Sequence, residues 1–136
     1  LCNRKFNPKR PVRTFRDLEV YQKTMEGSVL TVKNLKPKLS KLKYPFLDNL
    51  VNCSMTVPLL LGEAHSLRFG DHAKAILLLE NAMAGCNKMV IYLEQMLGIY
   101  GSKLDQDLLD SLIKRYSDVR TKIFRLEKSW QKWNEP

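Results

Sequence analysis

The sequence predicts an all-α protein, an antiparallel up-down-up-down four-helix bundle with a basic N-terminal arm. Three observations lead there. Apolar residues recur at spacings of three and four along four long segments, strand-like alternation occurs nowhere, and the joins between segments are short and carry Pro or Gly. At 136 residues, 44% hydrophobic and 27% charged, the chain suits one domain with one continuous core. No uninterrupted apolar run exceeds the five residues of Val57–Leu61, and no membrane partner is expected.

Residues 1–13 show no periodicity and hold Pro8, Pro11 and five bases, so residues 1–14 are assigned to an extended arm and 15–136 to the bundle. Thr14 and Asp17 have the spacing of a helix cap. Leu18, Tyr21, Met25, Val29, Val32 and Leu35 then mark the buried stripe of a first helix over about 15–35, with Pro37 and the Lys-rich stretch 36–43 as the connection. Pro45 suits the first turn of a second helix, whose inner side is marked by Leu50, Val57, Leu61 and Ala64. Pro58 should bend this helix, and Phe69-Gly70 should close it.

Asp71 is placed to cap a third helix carrying Ala75, Ala82, Cys86, Leu93 and Leu97 inward. Its small residues Ala82, Ala84 and Gly85 would let a neighbouring helix come close, and Gly98 and Gly101 bracket its end. A fourth helix is expected from about Ser102, with Asp105 at cap spacing. It shows a seven-residue repeat through Leu109, Leu112, Tyr116, Val119, Ile123, Leu126, Trp130 and Trp133. Its acids sit early and its bases late, which complements the helix dipole.

Charge is distributed unevenly. Residues 1–45 carry twelve Lys and Arg against three acids, which accounts for the whole formal charge of +9. A balanced helical body with a cationic front end points to a protein that holds a polyanion. The candidate nucleic-acid contacts are Arg4, Lys5, Lys9, Arg10, Arg13 and Arg16 in the arm and helix-one start, interleaved with Phe6 and Phe15, together with Lys36, Lys38, Lys41 and Lys43. The bases of the fourth helix, Lys114, Arg115, Lys122, Arg125, Lys128 and Lys132, read as an ordinary solvated face diluted by Asp118 and Glu127. Leu77, Leu78, Leu79, Ile91, Tyr92 and Phe124 do not all fit one buried stripe, and this predicts burial of a second face in self-association.

Motifs for catalysis are missing. His65 and His72 lie seven apart across a helix break, and Glu63 and His65 fall on different faces of a helix, so no metal or cofactor is expected. No phosphate-binding glycine loop follows a strand, and no nucleophile has an adjacent base. The protein is therefore expected not to be an enzyme. Cys2, Cys53 and Cys86 are odd in number and widely spaced, which suits a reducing compartment; Cys53 and Cys86 lie in apolar stretches as small hydrophobes.

The stretch Phe15-Arg-Asp-Leu-Glu-Val-Tyr-Gln-Lys23 resembles the opening of helix one in the 23S ribosomal RNA intervening-sequence proteins. Val57-Pro58 resembles their Ile-Pro step, Glu63 their Ala-Glu-Gly, and Ala84-Gly85 their small-residue step in helix three. The same four-helix superfamily includes the accessory variability determinant (Avd) proteins of diversity-generating retroelements. The basic arm and long fourth helix make the chain look more like that branch, although Gly62-Glu63-Ala64 reverses the family's small residues and an expected Arg is displaced to Arg68. The resemblance implies a cytoplasmic, prokaryotic or phage-encoded homo-oligomer, a pentamer. It further implies binding of template RNA or an RNA/cDNA duplex, and association with a reverse transcriptase. It also makes Phe15, Leu18, Val20, Tyr21 and Pro58 structural residues. The alternatives are an intervening-sequence-type, ribosome-associated protein, or a protein-interaction module with an acidic partner.

Overall fold

A computed structural model describes residues 11–134. The described chain is all helical, with four helices packed against each other and no strand among the described residues. The elements are a 3-10 turn at Phe15–Asp17, α1 (Glu19–Leu30), a π turn at Thr31–Leu35, α2 (Lys36–Leu42), α3 (Leu47–Leu67), α4 (His72–Tyr100), a 3-10 turn at Gly101–Lys103, and α5 (Gln106–Trp133). The helix α1 packs on α3 and α5, and α4 packs on α3 and α5, so the four long helices enclose the core.

The first helix differs from the sequence expectation in length and in facing. It does not stop before Pro37 but continues through the π turn into α2, so Lys36, Lys38 and Lys41 are helical rather than in a loop. The reason is local. The Lys36 amide bonds the Thr31 carbonyl five residues back, which places Pro37 in the first turn of α2, where a missing N–H leaves no bond unmade. The chain turns only at Lys43, in the left-handed region at φ 59°.

The expected stripe of this helix is also rotated. Met25 and Val29 are exposed, and the buried face is Val20, Thr24, Gly27, Ser28, Thr31 and Leu35. Two threonines can be buried there because each hydroxyl donates to the carbonyl four residues back: Thr24 to Val20 and Thr31 to Gly27, both at 2.8 Å. The small face admits the Tyr116 ring of α5. A Cβ built on Gly27 would lie 2.6 Å from the Tyr116 hydroxyl.

The other helices follow the sequence reading more closely. Asp71 and Asp105 cap α4 and α5, accepting from the amides of Lys74 (3.2 Å) and Leu108 (3.1 Å). The helix α5 starts at Gln106 rather than Ser102, and α4 passes through Gly98 to end at Gly101, whose φ of 55° suits glycine. The helix α3 continues past Pro58, whose ring is buried. Gly85 sits against α3, with Val57 Cγ2 2.7 Å from where a Cβ would be, and Cys53 donates its thiol to the Gly85 carbonyl at 3.4 Å. Cys86 is fully buried, and burial pushes its thiol pKa up to about 12. Leu78 and Leu79 are core residues, while Leu77, Ile91 and Phe124 are exposed and Tyr92 is half-buried.

Although its uninterrupted apolar runs are short, His72–Lys103 is long and apolar enough, by length and composition, to cross a membrane. In the bundle it supplies nine buried residues, from Ala75 to Met96.

Candidate nucleic-acid interface

The cations found in the sequence fall at two separated places. Arg13 precedes and Arg16 lies within the 3-10 turn that leads into α1. Thr14 and Asp17 fix that turn: the Thr14 hydroxyl accepts from the Arg16 amide at 3.2 Å, and the Asp17 carboxylate accepts from the amides of Arg13 (2.9 Å) and Thr14 (3.1 Å). The Arg16 guanidinium lies 5.0 Å from the centre of the Phe15 ring. Phe15 in turn meets Tyr21 edge to face at 4.9 Å and rests on Gly62, which ties the turn to the bundle.

Lys36, Lys38, Lys41 and Lys43 lie at the far end of the same rod. Between them and the Phe15–Asp17 turn stand the twelve residues of α1 and the five of the π turn. At 1.5 Å per residue that is a separation of about 25 Å. Tyr44, which follows these lysines, packs against Tyr100 and Phe46. The two cationic groups therefore do not form one patch. Arg4, Lys5, Lys9 and Arg10 lie outside the described residues.

Val12 and Leu18, on either side of the Phe15–Asp17 turn, meet a set of residues from the ends of three other elements. The last turns of α3 bring His65, Arg68 and Phe69; the start of α4 brings His72; the end of α5 brings Leu126, Trp130 and Trp133. With Val12 and Leu18 they line a cleft of about 410 Å³. The two histidines that a helix break separates in sequence thus line one cleft. Trp133, placed on the buried seam by the seven-residue repeat, is 83% exposed, and Trp130 is only half-buried. The seam drifts after Ile123 so that Glu127 takes the inward position and Leu126 only part of it.

Arg68 is held in place. Its Nη1 reaches the His65 carbonyl at 2.7 Å and His65 Nδ1 at 3.1 Å, and its guanidinium stands 4.3 Å over the Phe69 ring. An arginine can only donate, so Nδ1 of His65 is the acceptor and the proton sits on Nε2. Burial, then the Arg68 charge, lowers the His65 pKa and keeps the ring neutral, against a smaller opposing pull from Asp17.

Along α5 the bases divide. Lys114 pairs with Asp118, Arg115 with Glu26 and Lys122 with Glu19, so that half of the helix face is neutralised. Among the described residues no carboxylate pairs with Arg125, Lys128 or Lys132 in the last turns of α5. Lys128 lies 5.0 Å from the Phe124 ring centre. The cleft sets the Arg68 cation among exposed aromatic faces, a combination that suits single-stranded nucleic acid. Arg68, Phe69, Arg125 and Trp133 are absent from the sequence-derived set. Their only sequence signal is position: each stands where one long helix ends or nears its end.

Among the described residues no three His, Cys, Asp or Glu side chains converge on a metal-sized space. The geometry suits holding a ligand by charge and stacking. No protein-family model, curated protein or solved structure matches this chain, so the case for its role rests on these residues and their placement.

Proposed function

We propose that this protein is a non-catalytic RNA-binding scaffold of the diversity-generating retroelement accessory type. In this reading a homo-oligomer, a pentamer by the resemblance, holds template RNA or an RNA/cDNA duplex for a reverse transcriptase. The observation that carries the reading is the exposed aromatic cleft at one end of the bundle, lined by Arg68, Phe69, Trp130 and Trp133, with Arg125, Lys128 and Lys132 on the same last turns of α5 and without a carboxylate partner among the described residues. Four more bases lie among residues 1–10, which precede Val12 in the chain, and Val12 lines that cleft.

The bundle is read as up-down-up-down. What supports this is the pairing of residues along neighbouring helices. Glu19 meets Lys122 while Glu26 meets Arg115, and Gly85 meets Val57 while Lys74 meets Glu63. Each pair runs in opposite sequence directions.

Self-association draws on two different apolar surfaces. One is the groove between α1 and α3, where Met25, Val29, Met55 and Leu59 are exposed beside Pro58. The other is the outer side of α4, where Leu77 and Ile91 are exposed and, two heptads apart, fall on one face. Two unlike patches suit a head-to-tail contact, which closes into a ring rather than a two-fold dimer. A ring repeats the cationic end in every subunit, and linked sites bind a long polyanion far more tightly than one.

The test is RNA binding measured against salt between about 50 and 200 mM. Removing residues 1–13 takes away five bases, and should flatten the plot of log affinity against log salt by up to about 3.5 units for a single strand. Reversing Arg125 and Lys128 to Glu should weaken binding further, while neutralising Lys36, Lys38, Lys41 and Lys43 should matter less. Unchanged affinity and slope on removal of 1–13 and reversal of Arg125 and Lys128 would end the reading. A reverse transcriptase gene beside this one separates the retroelement role from the intervening-sequence role.

A further inference from the structure

We infer that the cleft formed by Arg68, Phe69, Trp130 and Trp133 receives one unstacked nucleobase, which makes the protein a binder of single-stranded rather than fully duplex RNA. The inference rests on the RNA-binding reading and adds to it the part of the ligand that is recognised.

Four features of the cleft lead there. Its volume, about 410 Å³, falls in the range of roughly 300–1,000 Å³ typical of small-ligand sites. Its walls are flat and aromatic, and two of the rings are left in water: Phe69 is 86% and Trp133 83% exposed. Rings of that size gain from a stacked partner, and a base offers one whatever its sequence. Arg68 stands at the wall with its Nη1 committed to His65, so that Nε and Nη2 face no hydrogen-bond acceptor among the described residues and remain for a phosphate.

The fourth feature is His65. The side chain is only 5% exposed, lines the cleft, and lies 6.4 Å from the Trp130 ring, centre to centre. Its Nε2 has no hydrogen-bond partner among the described residues. Because Nδ1 accepts from Arg68, Nε2 is the protonated nitrogen, a buried donor left unmet. A carbonyl or ring nitrogen on the edge of a base supplies the missing acceptor. A base inside a duplex is already stacked on both sides and paired on that edge, so it cannot enter.

The chain carries its own reporters, since Trp130 and Trp133 are its only tryptophans. The probes are a short unstructured RNA and the same sequence annealed to its complement, each end-labelled. Binding is read by anisotropy of the label and by intrinsic tryptophan fluorescence in the same titration. The expected result is saturable quenching by the single strand, little or none by the duplex, and weaker duplex binding. Trp133→Ala should weaken single-strand binding about tenfold, and Trp133→Phe should keep most of it. Trp133 is the exposed last residue of α5, so neither variant should unfold the protein, and circular dichroism checks this.

Equal binding of both probes with no fluorescence change overturns the base pocket and leaves RNA binding standing. Binding of neither probe overturns both. If acrylamide reaches the tryptophans only after residues 1–11 are removed, and RNA never quenches them, the chain's own leading segment fills the cleft and the inference is wrong.

Discussion

The close approach of α3 and α4 at Gly85 makes a quantitative prediction about the bundle. Replacing Gly85 by Ala in an ordinary helix would stabilise it by about 1 kcal/mol, because Ala is the better helix former. Here the new Cβ would sit 2.7 Å from Val57 Cγ2. Val57 is fully buried and β-branched, so its side chain cannot rotate away cheaply. Overpacking of this kind costs about 1–3 kcal/mol, and the net expectation is a loss of up to about 2 kcal/mol, or up to roughly 7 °C in melting temperature for a chain of this size. Val57→Ala alone removes two methyl groups and leaves a cavity, a cost of about 2–3 kcal/mol. The double variant should be better than the sum of the two by about 1 kcal/mol, since the methyl added at position 85 enters the vacated space. Thermal and urea melts of the four proteins measure all these terms. Stabilisation by Gly85→Ala, or strict additivity in the double variant, would show that α3 and α4 are not in contact at this point.

Three further predictions concern other parts of the molecule. Burial, and then a hydrogen bond with Glu80, raise the Glu127 pKa above its ordinary value of 4.5. The folded state thus keeps a proton that the unfolded chain releases, and stability falls as pH rises through that window. Glu127→Gln should stabilise the protein at neutral pH and make little difference below the ordinary carboxylate pKa, and a pH-independent effect in thermal melts would refute this. Leu59→Asp, on the exposed apolar groove, should leave the fold intact by circular dichroism and lower the mass seen by light scattering; an unchanged oligomer would exclude that face. Cys86 should resist thiol reagents until the protein unfolds, with half-buried Cys53 reacting before it; rapid labelling of Cys86 in native protein, read by peptide mass, would contradict its burial.

How much of this was legible in the sequence varies from helix to helix. In α5 the seam from Leu109 to Ile123 was plain, because large apolar residues at seven-residue spacing have one way to be buried. The caps Asp71 and Asp105 were also plain, since capping is decided by neighbours a few residues away. In the first helix the same reasoning was right for Leu18 and Leu35 at the two ends of the stripe and wrong for Met25 and Val29 between them. Hydrophobicity favoured Met25 and Val29, but the position beside Tyr116 requires small residues, and the threonines there satisfy their own hydroxyls. No pattern within one helix can register the shape of the helix it meets.

The sequence by itself determined that the chain is helical, how many long helices pack, where most of them begin and end, and that its excess charge lies at the front. These follow from local rules: periodicity, capping, and the count of lysines and arginines. Only the tertiary structure decided that the front-end arginines are parted from the lysines at 36–43, and that Arg68, Phe69 and the two tryptophans share one cleft with Val12 and Leu18. That union is made by helix ends far apart in the chain, and it depends on how the helices fold back on one another.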